Sequence, residues 1–293
     1  MTSGTEKSHH RTAIILLLTT ALLWSLGGVL IKSVTWHPLA LAGMRSVIAS
    51  ATIYAYFRVV LRRKPVFRFD THQIGGALCY AATVSLYVAA NSFTTNANAI
   101  VLQYTAPVYV AVFGAWFLHE RLRTADVLTT LVVMCGIALF FFDKLSNDNL
   151  LGIVLALLSG VTMGWMALFV RKQKDSSPLE SLLLGNLLTA LIGIPFMLAG
   201  EPPTQSEWLY LVLLGVVQIG IPYILYARAL RHATALEGVL LTMLEPVLSP
   251  LWVMLAIGET PGTLPLIGGC IVLAAVLLRG VTGARTQTET PVV

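Results

Sequence analysis

Ten apolar stretches, each close to the length of a bilayer crossing, leave this chain few ways to fold. They fall at about 12–31, 38–58, 72–92, 97–117, 124–142, 150–170, 179–199, 208–230, 235–257 and 262–280. A helix needs about 20 apolar residues to cross the hydrocarbon core. Inside lipid every backbone N–H and C=O must find its partner within the protein, which only helices and closed barrels achieve. The runs are continuously apolar rather than alternating, so they predict helices and argue against a membrane β-barrel. Only 11% of the residues are charged, against about 25% in a soluble domain. The sequence therefore reads as an all-α polytopic membrane protein. Lys7 and Arg11 before the first run imitate a signal peptide. The run is of spanning length, contains Trp24 and Gly27-Gly28, and precedes no small-x-small cleavage site, so it is read as the first span.

Charge sets the expected orientation. With the N-terminus in the cytoplasm, sixteen of the nineteen Lys and Arg residues fall at cytoplasmic ends, only Lys32 and Lys144 fall outside, and Arg45 lies within a span. That bias places both termini in the cytoplasm. The net charge of +5 is scattered through short loops and points to no nucleic acid. Cys79, Cys135 and Cys270 all lie in apolar runs and suggest neither a disulfide framework nor a metal site.

The chain also repeats itself. TAPVYVAVFGAWFLHE (105–120) and LEPVLSPLWVMLAIGE (244–259) align without a gap, matching Pro107 with Pro246 and Glu120 with Glu259. The same offset pairs Tyr87 with Tyr226, Ala90 with Ala229, Thr95 with Thr234 and Lys32 with Arg171. Residues 12–142 and 150–280 thus read as two five-span repeats, flanked by cytoplasmic tails 1–11 and 281–293. Five is odd, so the second copy crosses the membrane in the opposite sense. Such a 5+5 inverted-topology repeat is a common architecture of secondary transporters, whose substrate sites lie near the midplane between the copies.

Ten spans, the repeat, and the Pro107…Glu120 and Pro246…Glu259 elements resemble the EamA family of the drug/metabolite transporter superfamily, and within it bacterial aromatic amino-acid exporters. The resemblance implies a ten-helix basket around a central cavity and export of small metabolites from the cytoplasm, in a bacterial inner membrane. It implies a small-molecule substrate, amino acids including aromatic ones foremost, and no cofactor. A drug, a nucleotide-type metabolite or a sugar phosphate is the alternative cargo, although a sugar phosphate would want several midplane cations and only Arg45 is at hand.

The spans offer a short set of candidate substrate contacts. Gly238, Thr242, Glu245, Ser249 and Trp252 recur at spacings of four, three, four and three, one stripe of a 3.6-residue helix. Glu245 lies about 15 Å in from the cytoplasmic end at ~1.5 Å per residue. An ionisable group at that depth marks a site by default. Glu245 reads either as a substrate or coupling carboxylate or as a buried group bonded to its neighbours. Arg45, about 10 Å in from the opposite end, could bind a substrate carboxylate, pair with Glu245, or snorkel to the surface. Trp24, Trp165 and Trp252 at mid-span, Tyr80, Tyr87 and Asn91 of span 3, Gln103 and Tyr104 of span 4, and Gln218, Tyr223 and Tyr226 of span 8 are read together as a set, several of which line a cavity. Each aromatic alone would equally suit ordinary packing. Pro107 and Pro246 are expected hinges, because a proline frees a carbonyl one turn earlier and lets a helix bend.

Other chemistries find few groups. GxxxxGK[ST] and HExxH do not occur, and all six histidines lie at termini, loops or span ends. No ring of like charges suggests a pore. An intramembrane enzyme or passive pore is the rival of different class, and the expectation is a transporter, not an enzyme.

Overall fold

A computed structural model describes residues 2–90, 93–94, 96–120, 123–140, 142, 150–176, 178–257 and 263–286. All regular structure among them is helical. Six runs are long and apolar enough to cross a membrane: Ser8–Ile31, Pro38–Val59, Thr71–Ala90, Leu150–Lys172, Pro178–Ala199 and Gln205–Ala229. The remaining four spans are supplied by shorter or broken helices.

Span 1 is α1 (Thr2–Ser25) followed, after a turn at Leu26, by α2 (Gly27–Lys32). Spans 2 and 3 are α3 (Pro38–Val59) and α4 (Thr71–Ala90). Span 4 is two half-helices, α5 (Asn96–Gln103) and α6 (Ala106–Leu118), and span 5 is α7 (Thr124–Phe140). Spans 6 and 7 are α8 (Leu150–Lys172) and α9 (Pro178–Ala199). Span 8 is α10 (Gln205–Leu213), a π-helical stretch (Leu214–Gly220) and α11 (Ile221–Ala229). Span 9 is again two half-helices, α12 (Ala235–Thr242) and α13 (Glu245–Ile257), and span 10 is α14 (Thr263–Thr286).

The packing follows the repeat. Span 3 lies on spans 6 and 7, and its counterpart span 8 lies on spans 1 and 2. Span 4 crosses span 6 as span 9 crosses span 1. Spans 2 and 7, 4 and 9, and 5 and 10 each pack against their own counterparts. A two-fold axis relating residues 12–142 to 150–280 requires this set of neighbours, and an odd number of spans per half lays that axis in the membrane plane. The ten-span inverted repeat read from the sequence is the fold.

Within a bilayer there is no water to drive helices together, so close packing must do so and small residues are used at crossings. Spans 2 and 7 touch through Gly43 and Gly193, where a Cβ on Gly193 would stand 2.5 Å from the Gly43 Cα. Spans 5 and 10 meet at Gly136, where a Cβ would stand 3.1 Å from the Gly268 carbonyl oxygen. Many leucine, isoleucine and valine side chains point outward, Leu198 and Leu278 among them, as lipid demands.

The prolines do something other than bend a continuous helix. Pro107 and Pro246 each stand second in the latter half of a broken span. There the missing N–H is one of the donors a helix start leaves unbonded anyway, and the fixed φ suits the first turn. The breaks themselves lie just before, at Tyr104-Thr105 and at Met243-Leu244, which are equivalent positions of the two repeats.

Candidate functional site

Because span 9 breaks at Met243-Leu244, Glu245 is the first residue of α13 rather than one position on an unbroken stripe. Span 4 breaks at the matching level, which leaves Tyr104 in a turn opposite it. The Tyr104 hydroxyl donates to Glu245 Oε2 at 2.7 Å. Tyr104 is buried. The sequence offers it as one of several span aromatics for a cavity wall, without singling it out. It is the direct protein partner of the central carboxylate.

Around this pair stands an aromatic wall. Tyr80 is fully buried, donates from its hydroxyl to Asn186 Oδ1 at 3.0 Å, and meets Tyr223 edge-on with ring centroids 4.9 Å apart. Trp24 lies 5.1 Å from Tyr223 and 5.6 Å from Tyr226 by ring centroids. Residues from spans 1, 3 and 8 therefore converge. Asn186 is not evident from the sequence, since a single amide inside an apolar run carries no period of its own.

Arg45 is nine-tenths buried on α3 and makes no hydrogen bond or ion pair among the described residues. It lies within electrostatic range of Glu245, Tyr80 and Tyr223. Arg45 and Glu245 thus share a site without forming an ion pair within 4 Å. A buried guanidinium with unused donors is costly.

Span 8 supplies Gln218 from its π-helical stretch. A π turn widens the helix by one residue and is common where a side chain must be aimed at a site. Gln218 Nε2 donates to the Trp24 carbonyl at 3.4 Å, while Gln218 Oε1 and Trp24 Nε1 find no partner among the described residues. An orphaned acceptor and an orphaned donor thus sit side by side at the same site, and most buried polar atoms do find partners.

The other expected site residues divide. Gln103 closes α5 and donates to Ser159 Oγ at 2.7 Å, and Ser159 in turn donates to the Thr83 carbonyl at 2.9 Å. Tyr87 lies half-buried on α4 within electrostatic range of Tyr104. Ser249 faces Gly28, where any Cβ would collide with the Ser249 hydroxyl. Trp252 donates from Nε1 to Ser25 Oγ at 2.8 Å. The Thr242 hydroxyl is spent on its own helix, at 3.0 Å from both Gly238 and Val239 carbonyls. Trp165 packs elsewhere, in a cluster with Phe113, Phe117 and Phe169 at centroid distances of 5.2, 5.4 and 5.8 Å. Asn91 lies outside the described residues.

A cavity of about 360 Å³ opens beside this centre, lined by Leu26, Val29, Leu30, Leu213, Val217, Trp252 and Leu255. It sits where the turn of span 1 meets the π-helical stretch of span 8. Trp252 lies seven residues beyond Glu245, about 10 Å along α13. The polar centre and the apolar cavity are therefore adjoining parts of one region rather than one hollow. Among the described residues no group of three His, Cys, Asp or Glu could hold a metal ion.

Comparison with known proteins gives this geometry a context. The sequence signature of the EamA-like transporter family matches twice, over residues 11–142 and 150–280. The pseudopaline exporter CntI of Pseudomonas aeruginosa is 26% identical over 273 residues, covering 90% of this chain and 94% of that protein. An uncharacterized transporter of Archaeoglobus fulgidus is 27% identical over 217 residues, covering 73% of this chain and 78% of its own length. The threonine/homoserine exporter RhtA of Salmonella typhimurium is 28% identical over 185 residues, 60% of each chain. A solved crystal structure superposes with a TM-score of 0.79 at 24% identity, over 95% of this chain and 99% of that one, which speaks for the fold alone. The paired signature covers both halves of the inverted repeat, and the chain belongs to the EamA-like transporter family, a multi-pass membrane transporter.

Proposed function

We propose that this transporter exports small amphiphilic metabolites, amino acids including aromatic ones among them, by alternating access across a bacterial inner membrane, with both termini in the cytoplasm. The observation that carries the reading is Arg45, buried and without a hydrogen-bond or ion-pair partner among the described residues, within electrostatic range of a carboxylate that accepts from Tyr104. A zwitterion answers both charges at once: its carboxylate meets Arg45, its ammonium meets Glu245, and its side chain lies against Trp24, Tyr80 and Tyr223. The breaks in spans 4 and 9 let the two repeats rock about this point. The names of RhtA and CntI support an outward direction of transport, and the charge bias of the loops supports the orientation.

Counterflow in proteoliposomes tests the reading. Saturable exchange of labelled amino acids is expected, with N-acetylated and carboxyl-amidated analogues failing to compete. Arg45→Met should weaken apparent affinity for carboxylate-bearing substrates about tenfold to a hundredfold, the worth of one lost charge-assisted bond. Uptake linear in concentration, or equal competition by both blocked analogues, overturns it.

A further inference from the structure

One end of the bundle is held by charged side chains that the substrate site does not use. At that end α12 opens with a capping box: Glu237 N donates to Thr234 Oγ1 at 3.1 Å, and Thr234 N donates to Glu237 Oε2 at 3.0 Å. Glu237 also meets His10 Nε2 of α1 at 3.2 Å and the guanidinium of Arg279 of α14 at 3.2 Å. Arg279 Nε donates onward to Asp126 Oδ1 of α7 at 2.6 Å. These four side chains are all more than nine-tenths buried. On the other flank Arg171 of α8 donates from Nε to Glu120 Oε1, beyond the end of α6, at 2.6 Å and from Nη1 to the Leu230 carbonyl at 2.7 Å. Glu120 Oε2 accepts from Ala235 N, the first residue of α12, at 3.3 Å. Six charged or titratable side chains from spans 1, 4, 5, 6, 9 and 10 thus converge on one helix start.

We propose that this belt is the gate of that membrane face, closed in this structure, and that Glu237 is its pivot. The inference rests on the alternating-access reading above, with this end cytoplasmic. Both halves of the broken span 9 are short, so α12 can swing about Met243-Leu244 once its N-terminus is released. Among the described residues Glu237 is the side chain that both caps α12 and ties it to spans 1 and 10. Removing its charge takes one carboxylate from Arg279 and the facing carboxylate from His10, which weakens the ties of α12 to two of its neighbours at once. Asp126 acts on α12 only through Arg279, so it is a positioning residue of the gate.

Accessibility reads the gate without needing a substrate. In a chain with Cys79, Cys135 and Cys270 changed to alanine, Thr242→Cys places a thiol between the belt and Glu245. The probe is a membrane-impermeant maleimide, applied to inside-out and right-side-out vesicles. Glu237→Gln is expected to raise the labelling rate about tenfold from the face bearing Arg279 and to leave the other face unchanged. Asp126→Asn should do the same more weakly, and serves if the first variant is not monodisperse. Unchanged labelling in both single variants overturns the gate, as does an equal rise from both faces, which would mean general loosening. Face-specific opening in a protein that shows no saturable counterflow would keep the gate and sink the export reading.

Discussion

The contact between Tyr104 and Glu245 decides how much of the central charge is available to a substrate. Glu245 keeps one carboxylate oxygen for Tyr104 and offers the other. Tyr104→Phe removes one hydrogen bond worth about 1 kcal/mol net. It should lower the melting temperature little while reducing counterflow about tenfold, because the carboxylate loses its fixed direction; a fall in stability with unchanged transport would count against that role. Glu245 and Arg45 were both legible as residues, since an ionisable group deep in an apolar run stands out. Their partners were not. Asn186 looks like an ordinary member of an apolar helix, and Tyr104 and Tyr223 are two aromatics among many, until the fold brings them together.

A second residue shows how a carboxylate in the first turn of α10 reports on pH. Glu207 accepts from Thr35 N and Thr35 Oγ1, both at 2.7 Å, and from Thr204 N at 2.8 Å. Those bonds hold its pKa at about 2, below the ordinary 4.5. They are lost on unfolding, so the folded state favours the charged form. The stabilisation is complete above about pH 4.5 and disappears as pH falls towards 2. Thermal melts of wild type and Glu207→Gln in detergent should therefore differ at pH 7 and converge on acidification through that window. A gap that persists at the acid end would contradict the assignment.

At the scale of elements, apolarity located the spans but not their interruptions. Spans 1, 4, 8 and 9 are each broken or widened. Pro107, Pro246 and Pro222 each stand second in the helix that follows an interruption, of spans 4, 9 and 8, and there the prolines begin new segments rather than bend old ones. The π-helical stretch of span 8 packs Gly215 against Ile48 and Gly220 against Thr52 and ends two residues before Pro222. Deleting Val217 should restore an ordinary α-helical register and turn Gln218 away from Trp24. Transport should fall while the protein stays folded, as read by counterflow and size-exclusion. Crossing points behave differently. Gly193→Ala drives a methyl into the Gly43 backbone and should cost about 1–3 kcal/mol. Gly114→Ala, whose nearest neighbour would be Leu168 Cδ2 at 3.6 Å, should leave the melting temperature unchanged. Equal shifts for the two would mean that spans 2 and 7 are not held by that contact.

For the whole molecule, the odd number of spans per half and the constant offset between halves made the topology legible before any contact was known. What they left open was which faces meet, because side chains that line a cavity and side chains that face lipid are equally apolar here. Trp165 and Tyr80 illustrate this: both are mid-span aromatics, yet one stacks among phenylalanines and the other belongs to the central wall. The orientation remains a charge argument and has a direct check. Reporter fusions after residue 64 and after residue 174 should both be active on the cytoplasmic side, and activity of either in the periplasm would reverse the assignment.

The two-fold relation between the halves also bears on where such a carrier rests. If the halves were identical, exchanging their conformations would turn one open state into the other at no cost, and the two would be degenerate. Glu120 and Arg171 respect that exchange, for their equivalents are Glu259 and Lys32. Asp126, Glu237, Arg279 and His10 do not: the matching positions hold Pro265, Asn98, Phe140 and Asn149. The extra belt therefore lifts the degeneracy in favour of the state closed at its own end. An empty carrier should wait facing the opposite side of the membrane, so that the return step with no cargo, rather than the loaded crossing, sets the pace of each cycle.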